Sequence, residues 1–169
     1  PPPYCSRRQR QMCIRDRYNA SSPQAAMRYF ESIHKNNPSN ENTFAYIASL
    51  KSSGNFLEAT NLNNKLLEKF PKNLILNITK AEILLSAQQY DRAELSIEEV
   101  LRISPRNYPA SIVKAKILSA KNESIKAEEI LRDLLIKKNK DPSIWMQLSE
   151  IQRSGKNIVG YHLSKGEYF

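Results

Sequence analysis

The feature that most constrains this chain is a fixed period, the step that leads from Ala59 to Ala93 and again to Ala127. The stretch from Pro71 to Pro105 shows one period of it: two amphipathic segments joined by a short polar turn, Ser86 to Gln89, with a proline at each end. The same plan recurs on both sides. Phe56 and Tyr90 fall in register, as do Leu84 and Leu118, and Leu66, Val100 and Leu134. A lone helical hairpin cannot bury its apolar face, so a fixed period of this size belongs to hairpins stacked on one another. The expected fold is all-α, a solenoid of helical hairpins that forms an α-α superhelix.

Composition fits that expectation. Hydrophobic residues make up 40% of the 169, enough for a core, and only four are glycine, which favours helices over many tight β-turns. No run approaches the roughly 18 apolar residues of a spanning helix. The first residues lack the apolar centre of a secretory signal. The net charge of +9 is uneven. Residues 1–17 hold five arginines against Asp16, a local +4, which leaves +5 for everything else. That remainder is mixed Lys and Glu along helices, which reads as a solvated surface. It disfavours nucleic acid as a partner, though a nucleic-acid-binding helical repeat, recognised by salt-sensitive binding, is the alternative the lysine excess raises. Cys5 and Cys13 both lie in the basic segment, so the repeats hold no cysteine framework or nucleophile.

Residues 1–17 show no helical or strand period. The run RRQRQMCIRDR resembles translated adaptor sequence, so this segment is expected to be a non-native or disordered tail. Residues 18–37 are expected to form a partial repeat. It opens at Ser22-Pro23, a helix cap followed by proline at the first helical position, and places Ala25 one period before Ala59. Full repeats are expected over 38–70, 71–104 and 105–139. A partial, truncated fourth spans 140–169: Asp141 caps it, Pro142 opens it, and its periodicity fades near Gly155. Small residues are expected where helices cross: Ala48, Ala81 and Ala115 on first helices, and Ala59, Ala93 and Ala127 on second helices.

The chemistry of a catalyst is not apparent. The two histidines, His34 and His162, are far apart and neither precedes a glutamate, so there is no H-E-x-x-H zinc helix. Both read as surface or partly packed side chains. Glu98-Glu99 and Glu128-Glu129 are adjacent pairs, and adjacent helical residues point about 100° apart; they read as solvated faces. No catalytic, cofactor-binding or metal residue is expected on this chain, and no cofactor.

A 34-residue helix–turn–helix unit with small crossing residues, an aromatic after the turn and a closing proline resembles the tetratricopeptide repeat. Ala81, Leu84, Tyr90, Ala93, Val100 and Pro105 carry the resemblance in the clearest unit, Trp145 and Leu148 in the last. Lys80 and Lys114 stand where a leucine is usual, Gln88 and Asn122 where the turn glycine is usual. The resemblance implies a protein-interaction scaffold that takes a protein or peptide partner on a concave surface of first helices. By register that face includes Ile78, Glu82, Leu85, Ile112, Lys116, Ser119, Met146, Glu150 and Arg153. Its mixture of aliphatic and charged side chains suits an extended or helical peptide. Ile78 and Ile112 stand where some such proteins place lysines for a partner's terminal carboxylate, which disfavours that mode.

A narrower resemblance lies at the C-terminal end. Asp141-Pro142-Ser143-Ile144-Trp145-Met146-Gln147-Leu148, then Gly155-Lys156-Asn157, His162-Leu163 and Gly166-Glu167-Tyr168, are similar to the repeat region of periplasmic zinc metalloproteases of the β-barrel-assembly-enhancing type. That resemblance implies a periplasmic location, a peptidase domain in cis that alone would hold zinc, and contact with outer-membrane assembly machinery. It also implies that the chain is truncated at both ends. Without it, the expectation is a stand-alone cytoplasmic adaptor.

Overall fold

A computed structural model describes residues 22–137 and 141–168. The basic segment 1–17 with Cys5 and Cys13, Tyr18 and Asn139 lie outside the described residues. Among the described residues the elements are all helices. They are α1 (Pro23–Asn36), α2 (Asn40–Ser52), α3 (Phe56–Lys69), α4 (Leu74–Ser86), α5 (Tyr90–Ile103), α6 (Tyr108–Ala120), α7 (Ser124–Lys137), α8 (Pro142–Ser154) and α9 (Ile158–Tyr168). The first helices α2, α4, α6 and α8 start at 34-residue steps, and so do the second helices α3, α5, α7 and α9.

Local chemistry sets these boundaries. The residue before each first helix, Ser39, Asn73, Asn107 and Asp141, accepts a backbone N–H of the first turn on its side-chain oxygen. Such caps satisfy donors that the helix leaves unpaired. Ser22 caps α1 in the same way, with Pro23 behind it, and Pro142 opens α8 behind Asp141. The turn after each first helix is equally regular. Gly54, Gln88, Asn122 and Lys156 all adopt positive φ, at 85°, 60°, 66° and 59°. The next amide donates back to the carbonyl five residues earlier: Asn55 to Leu50, Gln89 to Leu84, Glu123 to Leu118 and Asn157 to Gln152, at 2.8–2.9 Å. This left-handed closure stops one helix and aims the next. Only the first of the four turns has a glycine in that place.

The chain forms two compact units, one ending at Pro71 and the other starting at Lys72. In the first, α1 packs on α2 and α2 on α3. Its core includes Ala26, Phe30, Tyr46, Ile47, Leu50, Ala59 and Leu66. Two expectations fail here. Ala25 is exposed and Ala26 takes the buried place. Ala48 is only half-buried, because Ile47, not Ala48, stands one period before Ala81. Asn63 is fully buried in the register of Ile97 and Leu131. His34 is packed: its ring stacks on Tyr46 at 5.6 Å, and its Nδ1 lies 3.1 Å from the Thr43 hydroxyl.

The second unit has two core clusters. One joins Ile78, Ala81 and Leu84 of α4, Ala93, Ile97 and Val100 of α5, and Ala110, Val113 and Ile117 of α6. The other joins Ala115 and Leu118 of α6, Ala127, Leu131 and Leu135 of α7, and Ile144, Leu148 and Ile151 of α8. Ala81, Ala93, Ala115 and Ala127 have no exposed surface, which places the small residues at the crossings. The fourth repeat has its second helix, α9, where the apolar period fades. Tyr161 occupies the register of Ala93 and Ala127, so the close approach passes to Gly160 and Ser164, each one residue earlier than the register predicts. A Cβ on Gly160 would lie 2.8 Å from Gln152 Nε2. Ser164, 4% exposed, donates to Gln152 Oε1 at 2.7 Å.

The left-handed turns generate a stability prediction. Gln88→Gly removes the steric cost of positive φ but adds unfolded-chain entropy, for a net gain of about 0.5–1 kcal/mol. Gly54→Ala is expected to lose about 1 kcal/mol. Urea denaturation midpoints that move in opposite directions for the two variants are the expected result.

Candidate functional site

The site is the outer stripe of the first helices in the second unit. On α6, Pro109, Ile112, Lys116 and Ser119 run along the outer side at helical spacing; on α8 the matching residues are Ser143, Met146, Glu150 and Arg153. α4 contacts α6 and α6 contacts α8, so the stripes lie side by side. The hydroxyls of Ser119 and Ser154 meet at 3.3 Å across the last pair. Lys116, Glu150 and Arg153 are exposed and make no ion pair among the described residues. Met146 is 39% exposed.

The predicted face needs one correction. Ile78 is 8% exposed and belongs to the first core cluster, so it is not a lining residue. Ile75, 63% exposed in the first turn of α4, carries the apolar surface there instead. Glu82 is half-buried. Leu85 and Ile112 are half-buried and pack against the first and second clusters respectively.

Polar clamps hold the stripes in place. Lys121, at the end of α6, donates to Glu94 at 2.7 Å and Asp91 at 2.9 Å, both on α5. Hydrogen bonds from Lys121 to these carboxylates, Glu94 first, raise its pKa above the ordinary lysine value. Lys114, in a place where leucine is usual, reaches Glu98 of α5 at 3.3 Å. Tyr108 at the start of α6 donates to Asp141 Oδ2 at 2.9 Å and lies 3.0 Å from the Ser143 hydroxyl. Burial and the Asp141 carboxylate push the Tyr108 phenol pKa up, against the Ser143 contact.

Glu128 is the residue that the sequence reading missed. It is not part of a solvated face: its side chain is 14% exposed. It accepts from Gln152 at 3.1 Å, Arg132 at 3.0 Å and Asn157 at 3.4 Å, tying α7 to α8 and to the turn before α9. Only an inter-repeat contact distinguishes it from Glu129, and no local pattern carries that. Among the described residues there is no group of three or more His, Cys, Asp or Glu placed to hold a metal. No described helix is long and apolar enough to cross a membrane.

Comparison with known proteins places this geometry. Residues 84–151 match the tetratricopeptide repeat model. The structure of TTC0263, a thermophilic TPR protein of Thermus thermophilus, is similar over 93% of this chain and 87% of that one, with TM-score 0.77 and 18% identity. The fold is that of tetratricopeptide repeat proteins. A tetratricopeptide repeat protein of Parabacteroides merdae is similar over 91% of this chain and 59% of its own, with TM-score 0.70 and 14% identity. MamA from Desulfovibrio magneticus RS-1 is similar over 94% and 88%, with TM-score 0.59 and 16% identity. No curated protein matches the sequence.

Burial raises the Glu128 pKa, but hydrogen bonds from Gln152, Arg132 and Asn157 outweigh it and leave the value below the ordinary 4.5. A carboxylate with a depressed folded pKa stabilises above its unfolded pKa, and this stability is lost as pH falls through the folded value. Glu128→Gln is therefore expected to lower stability at pH 7 by about 1 kcal/mol and to make the loss between pH 5 and pH 3 shallower. Thermal melts of both proteins across that range check the sign.

Proposed function

We propose that this chain is a protein-interaction scaffold and that its partner docks on the first-helix face of α4, α6 and α8. The observation that carries the reading is the combination on that face of aliphatic surface, at Ile75, Ile112 and Met146, with charges at Lys116, Glu150 and Arg153 that form no ion pair among the described residues. A surface of this kind has free groups for both packing and charge recognition. Other charged groups of this unit, Lys114, Lys121 and Glu128 among them, take part in ion pairs within it.

The narrower reading is that the scaffold is the repeat portion of a periplasmic zinc metalloprotease concerned with outer-membrane protein quality. It is supported by the similarity around Asp141–Leu148 and by the later His162-Leu163 and Glu167-Tyr168. A stand-alone adaptor is the second reading. It is favoured by the near-complete spans of TTC0263 and MamA, of which this chain covers 87% and 88%. The reading frame upstream of Tyr18 separates the two: an H-E-x-x-H helix behind a signal peptide supports the protease, and a start codon close by supports the adaptor.

The scaffold reading is tested by affinity capture with cross-linking. Met146→Arg, on the first-helix face, is expected to reduce capture of bound proteins. Ile125→Arg, on the exposed side of α7, is expected to leave it unchanged. Equal effects of the two variants, or cross-links confined to second helices, contradict the reading.

A further inference from the structure

One side of α9 is apolar and exposed. Gly160 and Ser164 turn towards Gln152 of α8. Val159, His162, Leu163 and Gly166, spaced i, i+3, i+4 and i+7, lie on the side turned away from that contact. Val159 is 74% exposed and Leu163 68%, and Ile158, 69% exposed, flanks them.

The two glycines of α9 have different reasons to be glycine. At Gly160 a Cβ would lie 2.8 Å from Gln152 Nε2, so the packing on α8 requires the bare position. At Gly166 a Cβ would meet nothing within 4 Å. A glycine inside a helix costs backbone entropy, and no contact within the chain offsets that cost at Gly166. On an exposed apolar stripe, a position without a side chain admits the close approach of a second helix.

The charges at the two ends of the stripe define how that helix lies. Lys156, in the turn before α9, and Glu167, near its end, are exposed and form no ion pair among the described residues. Two copies of α9 laid antiparallel, with a two-fold axis between His162 and Leu163, set Val159 of each copy against Gly166 of the other. The same operation brings Glu167 of each copy within about 3 Å of rise, two helical residues, of the turn at Lys156 of the other. Shape and charge are then both self-complementary, as a two-fold interface requires. A parallel pairing would set glycine on glycine and like charge on like. A membrane or nucleic acid would attract Lys156 and repel Glu167, and so gains little from the stripe.

We propose that the chain forms a symmetric dimer by antiparallel pairing of α9 with α9 of a second copy. The pairing uses the side of α9 turned away from α8, so it does not draw on the first-helix face. One pair of short helices buries less than the roughly 1,200 Å² at which stable interfaces begin, so the dimer is weak and grows with concentration.

Sedimentation equilibrium of the whole chain, from low to high micromolar concentration, tests the proposal. A monomer–dimer equilibrium is expected. Gly166→Leu is expected to leave the melting temperature unchanged or higher, because the position is open, and to keep the protein monomeric throughout. Glu167→Lys is expected to weaken the dimer about tenfold, since two symmetric attractions become repulsions. Adding Lys156→Glu to that variant is expected to restore the original affinity with the charges exchanged. A chain that is monomeric at every concentration overturns the proposal, as does a dimer indifferent to Gly166→Leu. A charge-exchanged variant no tighter than Glu167→Lys overturns the antiparallel arrangement. If the chain is monomeric but Gly166→Leu lowers capture of another protein, the stripe takes a different partner and self-pairing is wrong.

Discussion

The structure of the second unit depends on one helix facing two ways. Ala110, Val113 and Ile117 turn one side of α6 into the cluster formed with α4 and α5, while Ala115 and Leu118 turn the other side into the cluster formed with α7 and α8. Each cluster needs a first helix, its second helix and the next first helix. No hairpin closes a core by itself, which is the physical content of the 34-residue period. Because the crossings are made by alanines with no exposed surface, the helices approach closely and leave little room for a different arrangement.

That packing is non-directional along the helix axes, and the polar clamps supply direction. Lys121 between Glu94 and Asp91, Tyr108 on Asp141, and Glu128 among Gln152, Arg132 and Asn157 each join one repeat to the next at a defined height. They fix the height of α6 against α5, of α8 against α6, and of α7 against α8.

Much of this was legible in the sequence. The period, the caps at Ser22 and Asp141, the prolines behind them and the crossing alanines of the second and third repeats all depend on residues close in sequence. What escaped were the effects of neighbours in space. Ile78 and Ile75 are both aliphatic residues near the start of α4, and only the packing of α5 and α6 buries the first and exposes the second. Ala25 and Ala26 are identical in sequence terms and differ by about 100° of helix rotation. Glu128 looks like Glu129 until α8 brings Gln152 to it. α9 was hidden because Gly160 and Ser164 replace the alanine register with a polar contact, and the left-handed turn at Lys156 has no glycine to mark it.

The most direct test of the shared-core account is hydrogen exchange in two variants at adjacent positions. Ile117 is buried in the first cluster and Leu118 in the second, though both belong to α6. Each truncation to alanine removes buried aliphatic volume, at a cost of about 2–5 kcal/mol. The account predicts that Ile117→Ala speeds amide exchange chiefly in α4 and α5, and Leu118→Ala chiefly in α7 and α8. If both variants loosen the same helices, or only α6 and α7 of their own repeat, the cores are not divided between repeats in this way.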